Sequence, residues 1–529
     1  MPTITTRQAP TIVQGSDWTA HLWCRTAPKG DHEKTFSLLA RDTGANKGSL
    51  NELLKPFGFD FAFILVRKSL PEIEITLGPR CTFQLYWNVS TDTGEICITD
   101  HLPHALLDQN TLRDSLDIEW LHTFMAHGQV SGPMEFSPST RTIYQDWKKV
   151  PASHSVRLCS KSQPVLEKCI AFDNISDEKY LGWSGPEQVS DFVRQALRQH
   201  LRETCGERGV AVEFSGGIDS GLVIAEACLS LPGKPAGVRN AYSYPEFRRE
   251  IIYQEAIRKK YGFHVFDNEQ RDILPFAGLL TVPAHDEPSV LSTSWGHLSA
   301  MHAYCQRENI STLLTGHGGD TLFEISPALQ VQQNSHGDLP GMFGSVCRSA
   351  VRQEAGAIRD FLNHKPQDWV LARHWHPAIL DSSFINRIFT HHALHPLIYT
   401  SGLISPDLVN GLHAYWLLSR RAGRSSVRPI QKPLAHEIFG DLLPEAVWRR
   451  SGKVNHLGLA YRGLFKSQAD IAQLESCIGL FAPLLEFDTD KVKQFLQSAA
   501  NGLHSGEGWL SRILALLVWT HARTRGAIA

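Results

Sequence analysis

Apolar and polar positions divide the chain into two regions with different periods. Phe61-Ala62-Phe63-Ile64-Leu65-Val66 is a continuous apolar run of strand length, and Ile73 to Leu77 alternates with period two. Phe83 to Trp87 and Glu95 to Thr99 flank a Thr-Asp-Thr-Gly turn, which predicts a hairpin. Leu112 to His127 reads as a helix ending before Gly128, and Ser155 to Leu158 as a further strand. Residues 171–185 show no period and read as a linker. From there the pattern changes. Gln188 to Cys205 carries Val189, Phe192, Val193, Ala196, Leu197 and Leu201 at helical spacing. Short apolar runs then alternate with helical stretches. The strands are Val210–Phe214, Ala236–Tyr244, Phe263–Phe266 and Ile310–Thr315; the helices are Gly221–Leu231, Phe247–Tyr261 and Trp295–Glu308. Such alternation predicts a doubly wound parallel sheet. Helical periods dominate beyond residue 326, ending in an apolar helix from Trp509 to His521.

The predicted fold class is therefore α/β: an N-terminal antiparallel β-sandwich over 1–170, a linker over 171–185, and a doubly wound parallel-sheet domain with a helical C-terminal part over 186–529. A chain of 529 residues is long enough for this, and 42% apolar with 20% charged residues is the composition of a folded globular protein. A formal net charge of −2 leaves no electrostatic footprint for nucleic acid or an anionic membrane. Ten cysteines stand singly with no Cys-x-x-Cys pair, so neither a zinc ribbon nor a disulfide framework is implied. With no signal-peptide pattern and no long apolar span, a cytoplasmic protein is expected.

The candidate chemistry starts where the first strand of the second region ends. Phe214-Ser215-Gly216-Gly217-Ile218-Asp219-Ser220 joins a strand to a helix. Two glycines let main-chain N–H groups approach a ligand closely, and the following helix adds its positive end, which together cradle an anion. Ser215 and Ser220 add hydroxyl donors, and Asp219 is placed as a Mg²⁺ ligand beside a bound phosphate. The Gly-Lys-Ser/Thr ending of a Walker loop and a dinucleotide Gly-x-Gly-x-x-Gly are both absent. The fourth strand runs into Gly316-His317-Gly318-Gly319-Asp320, so both loops fall at strand carboxyl ends, where ligands of such sheets sit. The plain structural alternatives are an ordinary strand–turn–helix with a Gly-rich bend for the first loop and a tight Gly turn with a capping Asp for the second. The histidines at 374, 376, 391, 392 and 395 lack an acidic or cysteine partner set, and 326–344 reads as a loop or insertion.

The first loop resembles the pyrophosphate loop of ATP pyrophosphatases, which split ATP into AMP and pyrophosphate. More widely, the stretch from about residue 60 to 465 resembles asparagine synthetases, including Thr142 to His154 at the end of their glutamine-hydrolysing domain. That resemblance implies ATP and Mg²⁺ as cofactors and Asp320 as a second metal ligand beside Asp219. It also implies that Lys453, after Leu443-Pro444 and Arg449-Arg450, neutralises charge in the acyl transition state, the alternative being a solvated loop lysine. Asp286-Glu287-Pro288 matches a family Asp-Glu-Pro, either lining the pocket or capping a helix. The chain begins Met1-Pro2-Thr3, whereas the family's glutaminase needs a cysteine after Met1, so glutamine-derived ammonia is not expected as nucleophile.

Gly-His-Gly-Gly-Asp is similar to the loop of lasso-peptide macrolactam synthetases, and Thr321 replaces the glutamate of asparagine synthetases. His317 is then either a base for the attacking amine or a wall of the nucleotide pocket. The resemblance implies activation of an Asp or Glu side chain of a precursor core peptide and its closure by the peptide's own N-terminal amine, alongside a leader peptidase and a leader-binding protein. A β-lactam or other small-molecule amide synthetase is the first alternative, and an inert paralogue acting as a binding protein the second.

Overall fold

The computed structural model describes residues 3–6, 10–24, 61–67, 72–78, 81, 83–90, 92–102, 113–127, 140–151, 154–159, 162–168, 185–205, 209–240, 248–268, 273–323, 398–403, 408, 411–412, 415, 432–450, 457–503 and 507–524. The expected linker, the insertion at 326–344 and the histidines from 374 to 395 lie almost wholly outside these residues.

The first region supplies strands β1 (Thr3–Thr5), β2 (Thr11–Gln14), β3 (Trp18–Cys24), β4 (Phe61–Arg67), β5 (Glu72–Leu77), β6 (Tyr86–Val89) and β7 (Ile96–Thr99). Helix α1 (Ile118–His127) and strands β8 (Lys148–Lys149), β9 (His154–Cys159) and β10 (Ser162–Lys168) complete it. Six strands pair in the order β10-β9-β5-β4-β3-β2 and four in the order β1-β7-β6-β8. Ile64 and Ile75 of the larger sheet and Trp87 and Ile98 of the smaller share one buried cluster, so the two sheets face each other across a common core. Every pair is antiparallel except β1 with β7, which departs from an all-antiparallel arrangement. The expected hairpin forms between β6 and β7, with Gly94 at φ 67° in its turn. The helix expected from Leu112 is interrupted: residues 113–115 are helical, and the chain leaves the helix before α1 begins at Ile118. Leu116 is held in a bridge to Tyr144, and Asp117 accepts the Trp120 N–H at 3.0 Å as an N-cap.

The second region begins with α2 (Pro186–Thr204), then β11 (Gly209–Glu213), α3 (Ile218–Ser230), β12 (Ala236–Asn240), α4 (Arg248–Tyr261) and β13 (Val265–Asn268). It continues with α5 (Trp295–Arg307), β14 (Ile310–Thr315), α6 (Gly319–Phe323) and β15 (Ile398–Ser401). The five strands are parallel in the order β13-β12-β11-β14-β15. From β11 the chain moves outward through β12 and β13, then returns to the other side of β11 as β14. The order therefore reverses between β11 and β14, the position at which doubly wound sheets bind ligands. Strand β15 completes this edge; its apolar run carried no strand expectation.

Alternation along the strands assigns each face its cover. Val212 and Leu314 pack with Val193 of α2 and Leu222 of α3. The last helices are α7 (Pro433–Phe439), α8 (Glu445–Trp448), α9 (Leu457–Lys466), α10 (Gln468–Leu474), α11 (Ile478–Phe481), α12 (Thr489–Ala500) and α13 (Glu507–Thr524); Ala211 and Leu313 share a cluster with Leu298 and Met301 of α5 and with α9 to α13. Of these, α7 and α8 cover the α3 face through Ile438 and Val447, and α13 lies in the other cluster together with Tyr86, Trp120 and Tyr144 of the first region.

The Asp-Glu-Pro segment sits at this junction, buried rather than capping a solvated helix. Asp286 is 3% exposed and accepts the Leu102 N–H at 3.0 Å and the Tyr86 hydroxyl at 3.5 Å. Lys149 donates to both Glu287 oxygens at 3.4 and 3.2 Å, with both side chains 9% exposed. From α13, Trp519 Nε1 donates to the carbonyls of His285 and Asp286 at 3.0 and 3.3 Å, and Arg523 Nε to His285 at 3.1 Å. Burial, with smaller contributions from Asp286 and Glu287, pushes the nearby Tyr144 phenol up, partly offset by Arg523. A buried ion pair that loses one partner leaves a desolvated charge, costing about 3–5 kcal/mol. Lys149→Ala is expected to lower stability to denaturant by about that much, and Lys149→Met with Glu287→Met to recover most of it. A loss under about 1 kcal/mol for the single variant would show the pair is not buried in solution.

Candidate active site

Strand β11 delivers Phe214 and Ser215 to the carboxyl edge of the sheet. The Phe214 side chain, 1% exposed, packs edge-on against Phe263 with ring centroids 5.3 Å apart, so it serves the core and leaves only its backbone to the loop. Gly216 has φ 79°, and a Cβ there would come within 2.6 Å of Gln254 Cγ. Gln254 donates its side-chain amide to the Ser215 carbonyl at 3.1 Å, which clamps the loop to α4. The Gly216 carbonyl accepts from Arg450 Nη1 at 3.1 Å. Arg450 is 5% exposed, donates to Glu250 at 2.8 Å and lies 4.9 Å from the Tyr253 ring centroid. The sequence offered Arg450 only as a neighbour of Lys453; its part as a buttress depends on α4 folding beneath it.

Ser215 and Ser220 brace the turn from within. The Ser215 N–H donates to Ser220 Oγ at 3.2 Å, the two hydroxyl oxygens lie 3.0 Å apart, and the Gly217 N–H donates to Ser215 Oγ at 3.3 Å. Helix α3 then opens on Gly217 without a side-chain cap. Its first-turn N–H groups keep the positive helix end available to an anion.

The second loop lies directly against the first. A Cβ on Gly316 would stand 2.6 Å from the Ser220 nitrogen, and one on Gly319 would stand 2.4 Å from Asp219 Cγ. Gly318 has φ 89°. The His317 N–H donates to Thr315 Oγ1 at 3.2 Å, and its carbonyl accepts from Ser401 Oγ at 2.6 Å, so β15 braces this loop. The His317 side chain is exposed. Asp320 lies in α6, one residue past the glycine that touches Asp219. The Asp320 and Thr321 side chains, and Lys453 altogether, lie outside the described residues.

A lysine without an assigned role in the sequence reading occupies the centre of the site. Lys432 Nζ donates to both carboxylate oxygens of Asp219, and the residue is 3% exposed. Its φ of 56°, immediately before Pro433, is a left-handed conformation disfavoured for a side chain of this kind. Such an outlier persists where surrounding contacts over-determine it. The one local signal was a Lys-Pro pair at a helix start. With Asp219, Lys432, the loop N–H groups and the α3 terminus converging, the donor set fits a triphosphate. The Asp219 carboxylate is an oxygen donor of the kind that would suit a phosphate-bound Mg²⁺. Among the described residues no group of three or more His, Cys, Asp or Glu forms a metal cluster of its own.

Fold and loops thus define an α/β domain whose two glycine loops meet at its topological switch point. Residues 188–394 match the family model for asparagine synthase, which supports an asparagine synthetase-like family. Members of that family are ATP-utilising ligases that form carbon–nitrogen bonds. No curated protein matches the chain. No helix among the described residues is long and apolar enough to cross a membrane.

Because Gly319 abuts Asp219, Gly319→Ala is expected to force the two loops apart. ATP affinity, measured by calorimetry, should fall by roughly tenfold or more, about 1.4 kcal/mol, with the unfolding midpoint little changed. Unaltered affinity would mean the loops do not meet around the nucleotide.

Proposed function

We propose that the protein is a lasso-peptide macrolactam synthetase. It activates an Asp or Glu side-chain carboxylate of a processed precursor peptide with ATP, and the peptide's N-terminal amine closes the ring, releasing AMP and pyrophosphate. The observation that carries the ATP-dependent part is the meeting of the two loops on Asp219 and Lys432 between β11 and β14. The peptide specificity rests on the likeness of Gly316-His317-Gly318-Gly319-Asp320 and of the Arg450-Ser451-Gly452-Lys453 block to those enzymes.

In this reading the Gly217 N–H, the first turn of α3 and the Ser215 and Ser220 hydroxyls hold the departing pyrophosphate. Lys432, released from Asp219, turns its charge to the phosphates. Asp219 and Asp320 would hold Mg²⁺, which neutralises phosphate charge when bound. Lys453 neutralises the acyl oxygen during attack. His317 stands at the exposed end of the second loop, as a base or as a wall of the nucleotide pocket. Closure within one guest spares the entropy of bringing two reactants together, worth up to about 7–11 kcal/mol when the ends are held in line. A leader peptidase and a leader-binding protein are the expected companions, and the reaction belongs in the cytoplasm.

The test uses linear synthetic peptides with a free N-terminal amine and one internal Asp or Glu. Exchange of labelled pyrophosphate into ATP should depend on the peptide, and mass spectrometry should find a product one water lighter. Production of ADP and orthophosphate would sink the reading. Asp219→Ala should lower exchange about 100-fold or more, whereas Lys453→Ala should keep ATP binding and lose closure. An Asp219→Ala enzyme of normal activity would remove the metal assignment.

A further inference from the structure

A second acid–base pair stands on the ligand-bearing edge of the parallel sheet. His297 Nε2 lies 3.1 Å from Glu213 Oε1, with the side chains 19% and 32% exposed. Glu213 is the last residue of β11, two positions before Ser215. Its neighbours Val212 and Phe214 both point into the cluster beneath α3, so alternation sends the Glu213 side chain to the opposite face, where α5 packs. His297 lies in the first turn of α5, which leads into β14. A crossover helix runs antiparallel to the strand it feeds, so its N-terminus lies at the strands' carboxyl edge. Both residues therefore occupy the edge that carries the two loops, on the face of the sheet away from α3.

We propose that His297, oriented by Glu213, accepts the proton from the attacking amine. This rests on the amide-forming reading above and names the base for it. An ionised carboxylate only accepts hydrogen bonds, so the pairing keeps the neutral imidazole's proton on Nε2 and makes Nδ1 the basic nitrogen. In the step itself, the amine nitrogen bonds to the acyl carbon. The acyl–oxygen bond to phosphate breaks, AMP leaves with that electron pair, and the surplus ammonium proton passes to His297 Nδ1. Glu213 then faces an imidazolium, whose charge it stabilises. The carboxylate also suits the approach of a cationic amine, a second use of the same group. His317, exposed on the adenylate loop, keeps the role of pocket wall.

The experiment compares His297→Ala, His297→Gln and Glu213→Gln with the parent enzyme on the peptides above, by three readouts. Peptide-dependent exchange of pyrophosphate into ATP should stay within about threefold, which also shows that the variants fold. Ring closure by the His297 variants should fall roughly 100-fold or more. Hydroxylamine, which attacks an activated acyl group without a base, should form hydroxamate at the parent rate in all three. Glu213→Gln should lower kcat roughly tenfold with KM unchanged, a split that a purely structural role would not produce. Closure at the parent rate in His297→Gln, or equal loss of closure and hydroxamate, overturns the assignment. Absence of peptide-dependent exchange in the parent enzyme overturns the amide-forming reading itself, and the two failures are thus told apart.

Discussion

The site depends on how closely two stretches of backbone approach. At Gly316 and Gly319 there is no room for even a methyl group, because the Ser220 nitrogen and the Asp219 carboxylate fill the space. This contact brings the end of β11 and the end of β14 together, and it places Asp219 within reach of whatever the second loop binds. The bracing follows from it. Gln254 and Arg450 hold the first loop from the α4 side, while Ser401 holds the second from β15. Two short glycine turns would otherwise be the most deformable parts of the domain.

A similar economy governs the charges. Asp219 is balanced by Lys432 and Arg450 by Glu250, each pair made from residues more than 190 positions apart. Arg450 carries the chain directly into the segment containing Lys453. The clamp under the first loop therefore also fixes where that segment begins. Buried pairs of this kind contribute little net stability against an apolar substitute, but they penalise every arrangement that separates the partners. The same logic holds between the two regions, where Lys149 meets Glu287 and Asp286 gathers Tyr86 and the Leu102 amide. The first region is thereby docked through α13 onto the face of the sheet that carries Glu213 and His297.

The sequence made the parallel sheet legible because its strands are short apolar runs between helical periods, and the observed elements fall within a few residues of those runs. The glycine loops were legible for the same local reason: their conformation is written in residues that lack a Cβ. Boundaries moved where a distant partner intervened, as where the bridge from Leu116 to Tyr144 interrupts the expected helix between residues 113–115 and α1. The Asp-Glu-Pro segment was read as pocket or cap, because its partners lie 138 to 238 residues away and no local period announces them.

By itself, then, the sequence determined the alternation of strands and helices, the two glycine turns at strand ends and the place of Asp219 in the first of them, since each depends on neighbours within a few positions. Tertiary structure alone decided that Lys432 faces Asp219, that Arg450 underpins the loop, that Phe214 belongs to the core, and that Glu213 meets His297. Those pairings arise where strands from distant parts of the chain end side by side, and side-chain direction at such an edge follows from packing on both faces of the sheet rather than from any local pattern.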